Sequence, residues 1–262
     1  MKKYRCDKIV FEAGRDVNLM VSEIDGVIYV KAEAHSYLER AYNTVKPPLP
    51  KGYEWCEVDG CRWIIRRKSD GSMFKWIPVN LLDEDGIRNG EVGHKYGRRN
   101  WGLDEIHFRK YEDPNDAGFV AHLQSIHKYK GFYVSCFNAS VSNGKIMSVP
   151  DAEPITGVNL KDAIRISSMY EKRDGITSHL LYGADYDTVL AWIVKTGARL
   201  IEEVEDNSTS WGNYSNTENQ EHVMAKTGSD EQYNTLGIYD LAGNVGEMTR
   251  EMYKGQRFTI RG

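Results

Sequence analysis

The sequence predicts an α+β fold, because short strand-like runs crowd its first half and separate amphipathic helical stretches follow them. Runs such as Glu54 to Glu57, Arg62 to Arg66 and Met73 to Val79 are bounded by the turn pairs Asp59-Gly60 and Asp70-Gly71. Apolar residues later recur at helical spacing, as Phe119, Val120, Leu123 and Ile126, and again as Tyr186, Val189, Leu190 and Ile193. No repeat at solenoid period and no low-complexity tract interrupts this pattern.

Residues 1 to about 50 read as a small β-rich N-terminal module. Lys8-Ile9-Val10-Phe11 and Gly26-Val27-Ile28-Tyr29-Val30 are its apolar runs, a short helical stretch lies near Ala34 to Tyr42, and Lys46-Pro47-Pro48-Leu49-Pro50 reads as a linker. A second domain is expected over 51–262. It opens with a hairpin around Asp59-Gly60 and the strand from Met73. A polar insertion from Asn80 to about Asn115 reads as a surface loop, and its Asp83-Glu84-Asp85-Gly86 lacks the spaced ligands of an EF-hand. Helices are predicted over Ala117 to Tyr129, over Leu160 to Glu171 with Asn159 as N-cap, and over Ala184 to Lys195.

Composition limits the functional classes. The chain has 262 residues, 40% of them hydrophobic, and a formal net charge of -4, so it can bury a sizeable core but carries no basic excess for nucleic acid or an anionic membrane. Neither partner is expected. The N-terminus lacks an apolar signal core and no later segment reads as a membrane span, so the expected location is cytoplasmic as synthesised, with virion association as a route outside. Cys6, Cys56, Cys61 and Cys136 all lie in the first half, and reduced thiols are expected. Cys56 and Cys61 flank Val58-Asp59-Gly60 closely enough to meet across a hairpin.

Two stretches carry candidate sites. Gly237-Ile238-Tyr239-Asp240-Leu241-Ala242-Gly243-Asn244-Val245-Gly246-Glu247-Met248-Thr249 combines a Gly-Asn corner with an acidic side chain. Carbonyls exposed by such a corner, with the Glu247 carboxylate, would suit a hard cation such as Ca²⁺; the alternative is a plain turn between strands. The loop Asp206 to Asn216 mixes Trp211 and Tyr214 with Ser, Gly and Asn, a composition suited to ligand contact, so Trp211, Asn213 and Tyr214 are candidate ligand-binding residues. The competing reading is a long loop pinned by Trp211.

The Gly237 to Thr249 stretch resembles the signature of the formylglycine-generating enzyme, or sulfatase-modifying factor, superfamily, which usually reads Gly-Leu-Tyr-Asp-Met-Ala-Gly-Asn-Val-Trp-Glu-Trp-Thr. Pro154 to Ala163 resembles the segment leading into the family's first helix, and His179 to Asp187 the Arg-Leu-Pro-Thr-Glu-Ala-Glu-Trp-Glu opening of its second. Phe74-Lys75-Trp76-Ile77-Pro78-Val79 and Gly131-Phe132-Tyr133-Val134-Ser135 resemble its early strands. The resemblance implies a C-type-lectin-like domain with small mixed sheets and two main helices. It maps a calcium-type site onto the carbonyls of Gly243 and Val245 and the side chain of Glu247, with Asn244 shaping the turn. Gly246 and Met248 stand where the family has Trp.

The family's oxygenases hold copper through a C-terminal cysteine pair, and no cysteine follows Cys136. Its sulfoxide synthases use histidine-ligated iron, but His94, His107, His122, His127, His179 and His222 are scattered along the chain and read as surface or half-buried residues. No catalytic residue is assigned. The expected role is recognition of a cell-surface or small-molecule ligand by a phage, prophage or bacterial protein. The resemblance implies a domain over 51–262 that is incomplete at its C-terminus; an oxygenase whose catalytic end lies beyond Gly262 and a structural tail protein are the alternatives.

Overall fold

The computed structural model describes residues 17–24, 27–34, 46–58, 60–79, 87–88, 91–92, 96, 116–173, 175–205, 207–214, 223–251 and 259–261. Strands β1 (Val17–Ile24) and β2 (Val27–Ala34) pair antiparallel, with Val17 opposite Ala34 and Ile24 opposite Val27. The run at Lys8 and the helical stretch expected beyond Ala34 lie outside the described residues.

The main sheet grows from the predicted hairpin. Strands β3 (Tyr53–Val58) and β4 (Cys61–Arg67) pair antiparallel around Gly60, whose φ of 74° is the left-handed conformation glycine adopts most readily. Strand β5 (Met73–Pro78) adds to β4. A short hairpin of β6 (Ile87–Arg88) and β7 (Glu91–Val92) follows, within a stretch most of which, Asp83 to Gly86 included, lies outside the described residues.

Helix α1 (Ala117–Tyr129) starts where Asp116 accepts a hydrogen bond from the Phe119 amide at 2.8 Å. It stops at Lys130, which adopts a left-handed φ of 63°. The chain then enters β8 (Gly131–Ser135), which pairs with β5 and completes an antiparallel sheet in the order β3-β4-β5-β8. Gly131 is required by this junction, since a Cβ there would lie 2.4 Å from both the Trp76 ring and the Ile77 carbonyl oxygen.

Beyond the sheet come the hairpin β9 (Ser140–Ser142) and β10 (Lys145–Met147), helix α2 (Leu160–Tyr170), the short pair β11 (Lys172–Arg173) and β12 (Ile176–Thr177), and helix α3 (Gly183–Lys195). The predicted N-cap of α2 is present, the Asn159 side chain accepting from the Asp162 amide at 2.9 Å. Helix α4 (Ile201–Glu205), the pair β13 (Asn234–Thr235) and β14 (Ile238–Tyr239), and the pair β15 (Glu247–Thr249) and β16 (Thr259–Arg261) complete a mixed α+β fold of small antiparallel sheets.

Helix α3 is the centre of the molecule. The sequence predicted one apolar face, yet Tyr182 to Val189 are all buried, including Asp185, Asp187 and Thr188. Its Val189, Trp192 and Ile193 pack on Ile77, Phe132 and Val134 of the sheet, Ile126 of α1 and Ile238 of β14. Each such side chain withdrawn from water contributes about 1.5–3 kcal/mol, so this cluster holds the helices to the sheet. A second cluster of Ile64, Cys136, Phe137 and Tyr239 backs it, with Phe137 and Tyr239 stacked at 4.9 Å.

The proline segment read as a linker packs against the sheet. Pro47 is buried, the Pro48 carbonyl accepts from the Tyr133 hydroxyl at 2.9 Å, and the Pro50 carbonyl accepts from the Tyr53 amide at 3.1 Å. Cys56, Cys61 and Cys136 are free thiols, and the hairpin sets Cys61 opposite Val58 and Cys56 opposite Ile64. No helix among the described residues is long and apolar enough to cross a membrane.

Candidate functional site

A cleft of about 1170 Å³ opens along the β5–β8 side of the sheet. Its walls carry the rings of Tyr53, Phe74, Trp76, Phe132, Tyr133 and Tyr170, and its polar groups include His122, His179, Asn138 and Glu247. An apolar concavity with a few convergent polar groups is the usual form of a small-molecule site.

The histidines sit at one part of this wall. His122 comes from α1, His179 from the segment before α3, and Asp185 from the first turn of α3. His122 Nε2 lies 2.7 Å from Asp185 Oδ1, and His122 Nδ1 lies 3.2 Å from His179 Nε2. Tyr96 donates its hydroxyl to the same Asp185 oxygen at 2.7 Å, and the other oxygen of Asp185 accepts from the Tyr182 amide at 2.9 Å. Burial alone would raise the Asp185 pKa, but the charge and hydrogen bond of His122, the charge of His179 and the Tyr96 hydroxyl hold it below the usual carboxylate value. Burial lowers the pKa of His179, which Asp185 only partly offsets.

His122 and His179 are half-buried, as expected, but the fold groups two histidines that are scattered along the chain. His122 and His179 are 57 residues apart in sequence, and only the packing of α1 against the start of α3 brings their rings to 4.4 Å. His127 conforms to the expectation, being exposed on α1, whereas His94, His107 and His222 lie outside the described residues.

The Gly243-Asn244 corner is a positive-φ turn, with φ of 69° and 61°. Asn244 is buried and clamps a neighbouring irregular segment, accepting from the Ala225 amide at 2.8 Å and donating to the Ala225 carbonyl at 3.2 Å. Gly243 backs directly onto Asn213, where a Cβ would lie 2.6 Å from the Asn213 carbonyl oxygen. Val245 and Glu247, by contrast, line the cleft. Glu247 Oε1 accepts from Asn138 Nδ2 at 2.9 Å. Burial raises the Glu247 pKa well above its ordinary value, Asn138 opposes this and the charge of Asp240 adds to it.

Glu247 Oε2, Asn138 Oδ1 and Asp240 Oδ1 are buried acceptors without a donor among the described residues. Asn138 and Glu247 are joined by their hydrogen bond, and buried oxygens left without donors, on a carboxylate and an amide side by side, are of the chemical type that suits a hard cation such as Ca²⁺. Sequence reasoning singled out Glu247 but missed Asn138, which lies 109 residues away, and passed over Asp240 within the same motif.

At Trp211 the loop takes the pinned form that its composition also allowed. Trp211 is only 2% exposed, its indole N–H donates to the Glu203 carbonyl at 3.2 Å, and Arg199 lies 4.9 Å over its ring. Its side chain anchors the loop instead of presenting contact area. Asn213 is half-buried and donates to Asn244 Oδ1 and to the Val223 carbonyl, each at 3.1 Å. The Tyr214 hydroxyl pairs with Ser208 Oγ at 2.7 Å. None of these three residues lines the cleft.

The molecule is thus a small-sheet α+β domain with a cleft beside its sheet, bordered by the Val245 to Met248 segment that follows the Gly-Asn corner. The chain belongs to the sulfatase-modifying factor enzyme 1-like domain family, whose model matches residues 111–261 and whose fold is C-type-lectin-like. Strands β3 to β5 precede that match, yet they share one sheet with β8 inside it. A search of curated proteins found no match, and neither did a search of solved structures.

Proposed function

We propose that this chain is a non-catalytic recognition domain of phage, prophage or bacterial type whose ligand lies in the sheet-side cleft. The observation that carries the reading is the cleft itself: about 1170 Å³ is the volume of a substantial organic ligand, and aromatic rings stand among its aliphatic wall residues. Rings of this kind give large contact area with few rotatable bonds, so the fitting occupant is a small molecule, or the end of a cell-surface chain, with an aromatic or apolar body. Glu247, Asn138 and Asp240 would hold a calcium ion at the corner. There the ion would neutralise the buried carboxylates and fix Val245 and Glu247 at the rim.

Ser135 lines the cleft from β8 and is exposed, so Ser135→Trp would narrow the cleft without disturbing the core. Ligand-observed NMR with a library of aromatic fragments should find binders of the wild type that the variant no longer holds. An identical set of binders for both proteins, or none for the wild type, would sink the reading.

A further inference from the structure

Two imidazoles face each other on the cleft wall with their outer nitrogens already committed. His179 Nδ1 lies 3.0 Å from the Leu180 carbonyl, and His122 Nε2 lies 2.7 Å from the Asp185 carboxylate. A carbonyl and a carboxylate only accept, so both outer nitrogens carry hydrogen. In neutral rings the inner nitrogens, His122 Nδ1 and His179 Nε2, are then bare lone pairs only 3.2 Å apart, on rings inclined at 71°. Such a contact is repulsive unless a positive centre lies between them.

We propose that His122 and His179 form a binding site for a divalent first-row transition ion, reached from the cleft and held in register by Asp185 and the Leu180 carbonyl. The orientation of both rings through their outer nitrogens is the arrangement that metal-bound histidines require, because it fixes the tautomer that offers the lone pair. The spacing fits as well: two nitrogens bonded at roughly 2.0–2.1 Å to a tetrahedral ion stand about 3.3–3.4 Å apart. One ligand atom from each of His122, His179 and Asp185 lies within 4.8 Å of the others, so a small movement would let the carboxylate enter the coordination sphere. Imidazole with carboxylate suits zinc and its neighbours in the first row, not calcium. Both histidines line the cleft, so the remaining coordination positions face the space that a ligand would enter.

The rival positive centre is a shared proton, and cobalt distinguishes the two. Chelator-treated full-length protein, titrated with Co²⁺ in buffer containing calcium, should take up one equivalent with the visible absorption of a low-coordinate site, and Zn²⁺ should displace it. His179→Gln and His122→Gln should each abolish that uptake, whereas His127→Gln, altered at an exposed position on the same helix, should retain it. Asp185→Asn should weaken uptake roughly 10–100-fold, the scale of outer-partner losses at metal sites. Imidazole NMR gives a readout that needs no variant, because added zinc should shift the His122 and His179 signals together and leave His127 in place. Absence of cobalt uptake by the wild type, or equal uptake by His179→Gln, overturns the proposal in favour of the shared proton.

Discussion

Glu247 illustrates how one carboxylate can couple stability to both pH and calcium. Its folded-state pKa lies well above its ordinary value, so the native protein holds a proton that the unfolded chain has released. Stability from this group is therefore complete below the unfolded value of about 4.5 and is lost as pH rises through the folded value. Without calcium, Glu247→Gln should melt at a higher temperature than wild type at pH 7, and its stability should vary less between pH 5 and 7. Millimolar Ca²⁺ should raise the wild-type midpoint, by about 2.7 kcal/mol of stability at a hundredfold excess over Kd, and leave Glu247→Gln unmoved. Equal calcium responses would remove Glu247 from the site.

Lys75 behaves in the opposite sense. It is fully buried, with its ammonium 2.6 Å from the Arg62 carbonyl and 5.6 Å from the centre of the Trp192 ring, and burial pushes its pKa down to about 8. Between about 8 and the ordinary 10.5 the unfolded chain binds the extra proton, so stability from this group rises with pH across that window. The wild-type minus Lys75→Met difference in unfolding free energy should climb there with a slope approaching about 1.4 kcal/mol per pH unit. A flat difference would show that the amine finds water in the native state.

At the scale of elements, the helices depend on single residues at their starts. Asn159→Ala should cost about 1 kcal/mol by removing the cap of α2, measured by denaturant unfolding. Gly183 opens α3 against Glu251, and a Cβ there would stand 2.8 Å from Glu251 Cβ and Oε2. Glu251 is 1% exposed, so its side chain must shift within packed surroundings and Gly183→Ala should destabilise by about 1–3 kcal/mol. A neutral result would mean that the segment around Arg250 and Glu251 yields more readily than its burial indicates. Helix periodicity and the Asn159 cap were legible because they are local, Asn159 sitting beside the turn it closes; the Asp116 cap of α1 became visible only in the structure. The near-complete burial of the first half of α3 was not legible, since Asp185, Asp187 and Thr188 look like a solvated face until the surrounding elements are in place.

For the whole molecule, α3 joins the sheet, α1 and β14 into one core, so its Val189 to Ile193 amides should exchange with solvent more slowly than those of β3 and β4. Faster exchange in α3 would place the stable core in the hairpin instead. What the sequence determined by itself was local and periodic: the α+β class, the hairpin at Asp59-Gly60, the strand from Met73, the helices beginning near Ala117, Leu160 and Ala184, and the Gly243-Asn244 corner, all set by turn chemistry and side-chain spacing. Tertiary structure alone decided where chemistry can occur. It buried Trp211, set Asn138 against Glu247, and brought His179 to His122 and Asp185, because hydrogen-bond partners and lone-pair directions depend on how distant segments pack and leave no mark on the spacing of residues along the chain.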